Sequence, residues 1–421
     1  MTSYTLQRPI YISAFRVVRP LFEIAQTTCL EWLGRAHFEA ECQLRGEDFN
    51  TDEQVSFQKA IDTGLRRFGC SAAKISKRGY DLADFHLTNW EDMKIFSLHE
   101  CASGRGIHER MVFFQEQTDS IMEEFYSCDA GESGGSRPCS QESPRGSGIP
   151  GARVSWSTGD WENSAPGLAI HVSCTGYGSP NATQRLISRR NWSRKTESTQ
   201  AYHMGCYAAL PGLRQASMAV QAGYFADVDI IHNEMCTLHF DPSLHSPEQL
   251  VVQSLFADGH IAYRVTARKP SKQAFRVLAS LEEIIPNSLD DMTWVLASNS
   301  FRMTLAREVP QKVADAVPEF VQRLYREAGL SAAERLQDSV AALHPGGPRI
   351  IDGLKDVLRL HEEAIADSRK ILFQFGNMSS ATMPHIFDSI ANRSEIKSGT
   401  LVLGLAFGPG LTMVGVLLQK I

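Results

Sequence analysis

Residues 399–418 constrain the fold more than any other part of the chain. The run Gly-Thr-Leu-Val-Leu-Gly-Leu-Ala-Phe-Gly-Pro-Gly-Leu-Thr-Met-Val-Gly-Val-Leu-Leu is long and apolar enough to cross a bilayer as one helix. Gly408-Pro409-Gly410 breaks it near its middle. Each remaining piece has the length of a strand. A near-continuous apolar run of that length is the pattern of a strand buried on both faces. The stretch is therefore read as two buried strands joined by a tight turn, and no membrane association is expected.

The rest of the chain alternates between strand and helix patterns, the sign of an α/β fold. Strands are expected near 10–18, 168–173, 228–233, 261–266, 303–309 and 339–343. Helices are expected near 20–45, 53–67, 110–126, 247–255, 311–328 and 349–360. With 421 residues there is room for two core-forming units. We place them at 1–268 and 269–421. Residues 128–166 are crowded with Gly, Ser and Pro and are expected to form a long mobile surface loop. A G-x-S-x-G match at 131–135 lies inside it, without the strand before and helix after that the motif needs. It is read as chance.

Composition removes several classes. A net charge of −6 argues against a nucleic-acid partner. The nine cysteines are odd in number, contain no CxxC pair and all lie in the first 236 residues. Zinc ribbons, thioredoxin-type motifs and a disulfide framework are not expected, and a reducing cytoplasm fits best. Residues 1–20 lack a charged segment followed by an apolar core, so no signal peptide is expected. A basic cluster, Arg66, Arg67, Lys74, Lys77 and Arg78, reads either as a solvated face or as a dock for phosphates.

Three short motifs could carry chemistry. In Met204-Gly205-Cys206 a glycine turns the chain, and an amphipathic run follows with Leu210, Leu213, Met218 and Val220 near one face. Pro211 fits only a first helical turn, which puts Cys206 at or just before a helix N-terminus. The positive end of the helix dipole there favours a thiolate. His344-Pro345-Gly346-Gly347-Pro348 and Gly376-Asn377-Met378-Ser379-Ser380-Ala381 each carry one further polar side chain, expected at a strand end. Singly, Cys206 reads as a small packed residue, His344 as a turn histidine and Asn377 as a helix cap.

Together the motifs resemble the type III polyketide synthases, the chalcone-synthase-like condensing enzymes of the thiolase superfamily. The likeness runs through Ser173–Tyr177, Met204–Ala216, Glu234, 253–259, 344–348, 376–381 and the loop of Phe407, Gly408, Pro409 and Gly410. The order Cys, His, Asn and the spacings (344 − 206 = 138; 377 − 344 = 33) match that family. The resemblance implies an α/β thiolase fold, five-layered αβαβα with two similar halves, and a homodimer. It implies that Cys206 takes an acyl group from a thioester. His344 would hold Cys206 as a thiolate–imidazolium pair. His344 and Asn377 would hydrogen-bond a malonyl thioester carbonyl as CO2 leaves. The enolate would attack the acyl-Cys206 thioester in a decarboxylative Claisen condensation. Cyclisation to a pyrone, resorcinol or phloroglucinol would follow.

Phe240 corresponds by the same likeness to an aromatic gatekeeper. Gly408, Pro409 and Gly410 correspond to the loop shaping the cyclisation cavity, and Arg67 to a coenzyme A contact. Cys174 and Cys236 are expected only to line the core. No metal or redox cofactor is implied. The substrates would be acyl- and malonyl-coenzyme A, or acyl-carrier-protein thioesters. The chain departs from the family at 128–166, in the lysines near Arg67, and at Ala406, where many members have glycine. Two other readings remain open: a carrier-protein-dependent ketosynthase joining two preformed chains, and an inactive thiolase-fold scaffold.

Overall fold

The structure, a computed structural model, describes residues 8–127, 155–157 and 164–421. The strands are β1 (Ile10–Val18), β2 (Phe22–Ala25), β3 (Lys77–Tyr80), β4 (Ser155–Ser157), β5 (Leu168–Ser173), β6 (Glu197–Tyr202), β7 (Asp227–Met235), β8 (Asp258–Thr266), β9 (Phe275–Ile284), β10 (Met292–Leu296), β11 (Phe301–Leu305), β12 (Val340–Leu343), β13 (Leu401–Gly408) and β14 (Thr412–Lys420). The helices are α1 (Gln26–Arg45), α2 (Thr51–Phe68), α3 (Ile107–Phe125), α4 (Ala182–Arg189), α5 (Ala209–Gln221), α6 (Pro247–Leu255), α7 (Val309–Glu327), α8 (Ala332–Arg335), α9 (Pro348–Leu358), α10 (Ala366–Phe375) and α11 (Thr382–Asn392).

The 399–418 stretch forms β13 and β14, an antiparallel pair from Leu401↔Gln419 to Gly408↔Thr412. Every residue of β13 is buried, which explains why its apolar run does not alternate. The main sheet runs β12-β13-β14-β9-β1-β8-β7-β5-β6. Its two ends repeat one plan. In one, β5 is parallel to β7, and β8 and β1 follow antiparallel. In the other, β12 is parallel to β13, and β14 and β9 follow antiparallel.

β1 joins these ends. Residues 10–12 pair with β9, and residues 16–18 pair with β4, while β8 runs along the other side. The change of partner falls at an irregularity between Ser13 and Arg16, where Ala14 takes φ 53°. Helices α5 and α11 pack against strands of both ends. All residues of α11 but the last are buried, as a helix enclosed on every side requires. Among the described residues no helix is long and apolar enough to cross a membrane.

Several expectations are corrected. Residues 22–25 are not helical: β2 pairs antiparallel with β3, and α1 starts only at Gln26. Met218 is 64% exposed, so the buried face of α5 is carried by Leu210, Leu213, Ala216 and Val220. The expected 128–166 loop lies mostly outside the described residues, as does the 131–135 match. Within it, residues 155–157 form a strand on β1.

Candidate active site

The Cys206 turn is built by two residues with positive φ. β6 ends at Tyr202, then His203 and Gly205 take φ 57° and 87°. A Cβ at Gly205 would lie 2.3 Å from the Cδ of Pro409, so only glycine fits between this turn and the 408–410 loop. That loop thus backs directly onto the residue preceding Cys206. Gly408 is confined the same way, against the Tyr207 ring. Helix α5 begins at Ala209 with Pro211 in its first turn, as expected. Cys206 is buried, and burial pushes its thiol up to about 12. A side-chain hydrogen bond from Ser379 opposes this, the charge of Glu234 adds to it, and Asn377 opposes it. Burial therefore outweighs the helix terminus that was expected to favour a thiolate.

Asn377 follows α10, not a strand as expected. Its backbone nevertheless pairs like a strand residue. Its N–H donates to the Leu255 carbonyl at 3.1 Å, and its carbonyl accepts from the Ala257 N–H at 2.9 Å. Its side-chain Oδ1 accepts from the Ser379 N–H at 2.9 Å and the Thr382 hydroxyl at 3.4 Å. This fixes the amide so that Nδ2 is buried and, among the described residues, has no hydrogen-bond partner of normal geometry. It stands near enough to Cys206 to favour its thiolate.

His344 lies at the end of β12, its N–H donating to the Leu405 carbonyl at 2.8 Å. Both ring nitrogens are buried, and among the described residues neither has a hydrogen-bond partner, Cys206 included. Burial lowers the imidazole to about 3. Burial thus works against the thiolate–imidazolium pair that the resemblance implied, since it favours the neutral form of each group.

Glu234, at the end of β7, ties the surrounding turns together. Its carboxyl accepts from the Cys174 N–H and the Thr175 hydroxyl, both at 2.9 Å, and from the N–H (3.3 Å) and hydroxyl of Ser380. Burial raises its pKa and these bonds hold it down.

A narrow cavity with about 30 Å³ of free room opens at Cys206, with Cys174, Cys236, Phe240, Phe256 and Ser379 among its walls. Phe240 is thus brought to the cavity, and Cys174 and Cys236, buried in the core, also border it. The β10–β11 hairpin closes one side. The Trp294 Nε1–H donates to the Cys174 carbonyl at 2.7 Å, and the Phe301 N–H donates to His239 Nδ1 at 3.0 Å. Sequence reasoning placed a strand at 303–309 but missed the hairpin, Phe256 and the contact of Ser379 with Cys206. The polar turn Ser298-Asn299-Ser300, between two short apolar runs, was the available signal for the hairpin.

The basic cluster divides. Arg67 is exposed in the last turn of α2, its guanidinium 5.2 Å from the Phe68 ring, and is not part of the cavity wall. Lys77 pairs with Glu23. Arg78 is buried and donates to the Gln26 side chain and to the Gln253 and Phe256 carbonyls, so it belongs neither to a solvated face nor to a phosphate dock.

A buried cysteine at a strand-to-helix turn, with an amide donor beside it on this doubled sheet, is the arrangement that the resemblance to thiolase-fold condensing enzymes implied. Comparison with known proteins agrees. The family "Chalcone and stilbene synthases, C-terminal domain" matches residues 276–421. Type III polyketide synthase C of Arabidopsis thaliana is 32% identical over 259 residues, 60% of this chain and 67% of that protein. Type III polyketide synthase A of the same plant is 28% identical over 258 residues, 60% of this chain and 65% of that protein. In fold, the C-terminal type III polyketide synthase domain of Steely1 from Dictyostelium superposes with a TM-score of 0.77 at 19% identity, covering 98% of this chain and 99% of that one. The chain belongs to the type III polyketide synthase family.

Proposed function

We propose that the protein extends a Cys206-bound acyl starter by decarboxylative Claisen condensation with malonyl thioester units. The observation that carries this reading is the buried, unpartnered Nδ2 of Asn377 beside the Cys206 thiol. In the first step Cys206 attacks the starter thioester; His344 takes the thiol proton and returns it to the departing thiol. In the second, a malonyl thioester loses CO2 and its carbonyl oxygen becomes an enolate. Asn377 Nδ2 and a His344 N–H supply the hydrogen bonds that this charge requires. The enolate carbon then attacks the acyl thioester, and the Cys206 thiolate leaves. Decarboxylation and thioester cleavage drive the sequence, so no metal or redox cofactor enters it.

Phe240 and Phe256 divide the passage for the thioester arm from the space for the acyl chain. Arg67 meets the phosphates of that arm outside the cavity. Gly408, Pro409 and Gly410 shape the space for ring closure from behind the Cys206 turn. The working form is a homodimer that takes coenzyme A thioesters, in a reducing cytoplasm. Asn377→Ala should lower malonyl decarboxylation about 10²–10³-fold while leaving acyl loading on Cys206 intact. Decarboxylation of malonyl-coenzyme A and mass spectrometry of the acylated protein read the two steps separately. Equal loss of both would overturn this division of labour.

A further inference from the structure

Cys174 has no step in the cycle above, yet it holds the residue before the nucleophile. β5 and β6 run parallel, in register as far as Ser173↔Tyr202. One further bond, from the His203 N–H to the Ser173 carbonyl at 2.9 Å, closes that ladder. Beyond it the chain turns through His203 and Gly205. The buried Gly205 N–H then needs an acceptor that the sheet no longer supplies.

Cys174, the first residue after β5, supplies it from its side chain. Its Sγ accepts from the Gly205 N–H at 3.0 Å, and its S–H donates to the Gly205 carbonyl at 3.0 Å. A thiol does both because it is donor and acceptor at once. The carbonyl also accepts from the Ala208 N–H at 3.1 Å. The Gly205 N–H has, among the described residues, no partner but the sulfur.

Cys174 is itself immobilised. Its N–H donates to Glu234, and its carbonyl accepts from the Trp294 Nε1–H. Burial first, and then the charge of Glu234, pushes its thiol up, which retains the proton that the donated bond requires. Gly205 has little freedom of its own, with φ 87° and the Pro409 ring against its Cα. Loss of the sulfur would leave its N–H buried and unpaired, at a cost. The turn would relax towards another acceptor and carry Cys206 with it.

We propose that Cys174 is a positioning residue: its thiol latches both backbone groups of Gly205 and so sets where the Cys206 sulfur stands when it meets a thioester. The role given to Cys206 here rests on the condensation reading above. Cys174 takes no acyl group and touches no bond that breaks.

Three variants separate this role from packing. Cys174→Ala removes the sulfur and its volume. Cys174→Val keeps most of the volume without a polar atom. Cys174→Ser keeps a donor and an acceptor on a shorter arm. Hydrogen exchange at the Gly205 amide, read by mass spectrometry of short peptides, should quicken about tenfold in the first two and return most of the way in Cys174→Ser. Acylation of Cys206 at saturating hexanoyl-coenzyme A should slow about 10–10²-fold in Cys174→Ala and Cys174→Val, with the half-saturating concentration within about threefold of the parent. Cys174→Ser should recover most of that loss. Unchanged exchange at Gly205 in Cys174→Ala and Cys174→Val overturns the proposal, and so does a Cys174→Ser protein as slow as Cys174→Val. Should Cys174→Ala fail to fold for want of volume, Cys174→Val decides. A parent protein that is not acylated sinks the condensation reading, while exchange at Gly205 still decides the latch.

Discussion

Gly205→Ala is the sharpest test of how the nucleophile is positioned. Gly205 has φ 87°, which costs a residue with a Cβ about 1–2 kcal/mol. The added methyl would lie 2.3 Å from Pro409 Cδ and 2.9 Å from Cγ, well inside contact distance. Forcing it into that space costs about 1–3 kcal/mol more. The sum is about 2–5 kcal/mol, measurable as a shift in the urea midpoint with unchanged slope. Where the turn yields rather than the 408–410 loop, Cys206 moves with it. A displacement near 1 Å should cut acylation of Cys206 about 10²-fold. Stopped-time mass spectrometry of the acylated protein reads that rate. Combining the change with Pro409→Ala removes the ring carbons that clash. The double variant should regain the packing part of the loss and keep the backbone part. Stability within about 0.5 kcal/mol of the parent and unaltered acylation would refute the reasoning.

Two further outcomes concern ionisation. With its thiol pushed up to about 12, Cys206 should react with iodoacetamide about tenfold faster for each pH unit between 7 and 10. A plateau near neutral pH would reveal a preformed ion pair with His344. Asp258 is raised to about 8, by burial first and then by the charge of Asp81. The fold favours its neutral form, so its contribution to stability is complete below the ordinary carboxyl range near 3.8 and is lost as the pH climbs through about 8. The parent Tm should fall from pH 5 to pH 9 by more than that of Asp258→Asn; parallel curves would dismiss the effect.

What the sequence disclosed follows a physical line. Local patterns were legible where one force dominates. The strand at Ile10–Val18 and the helix at Pro247–Leu255 fall where the sequence pattern put them. The 399–418 hairpin followed from one Gly-Pro-Gly interruption. Phe22–Ala25 was misread because four residues are too few to show a period, and only pairing with Lys77–Tyr80 makes them a strand. Cys206 and Asn377 were found through motif order, and the structure brings them together. The ionisation of Cys206 was not legible, because it depends on burial by residues far away in the chain. Arg78 shows the same limit: its charge suggested solvent, while its acceptors come from residues 26, 253 and 256.

The backbone bridge between Phe256 and Asn377 has a consequence in time. Asn377 is added 377 − 206 = 171 residues after Cys206. At ordinary translation speeds that is about 10–30 s. For that interval the cysteine exists without its amide donor and without the chain that buries it. A thiol in that state titrates as an ordinary exposed cysteine does, and is more open to alkylation and oxidation than in the finished fold. Closing the bridge is thus also the moment at which the thiol is withdrawn from the surrounding solution.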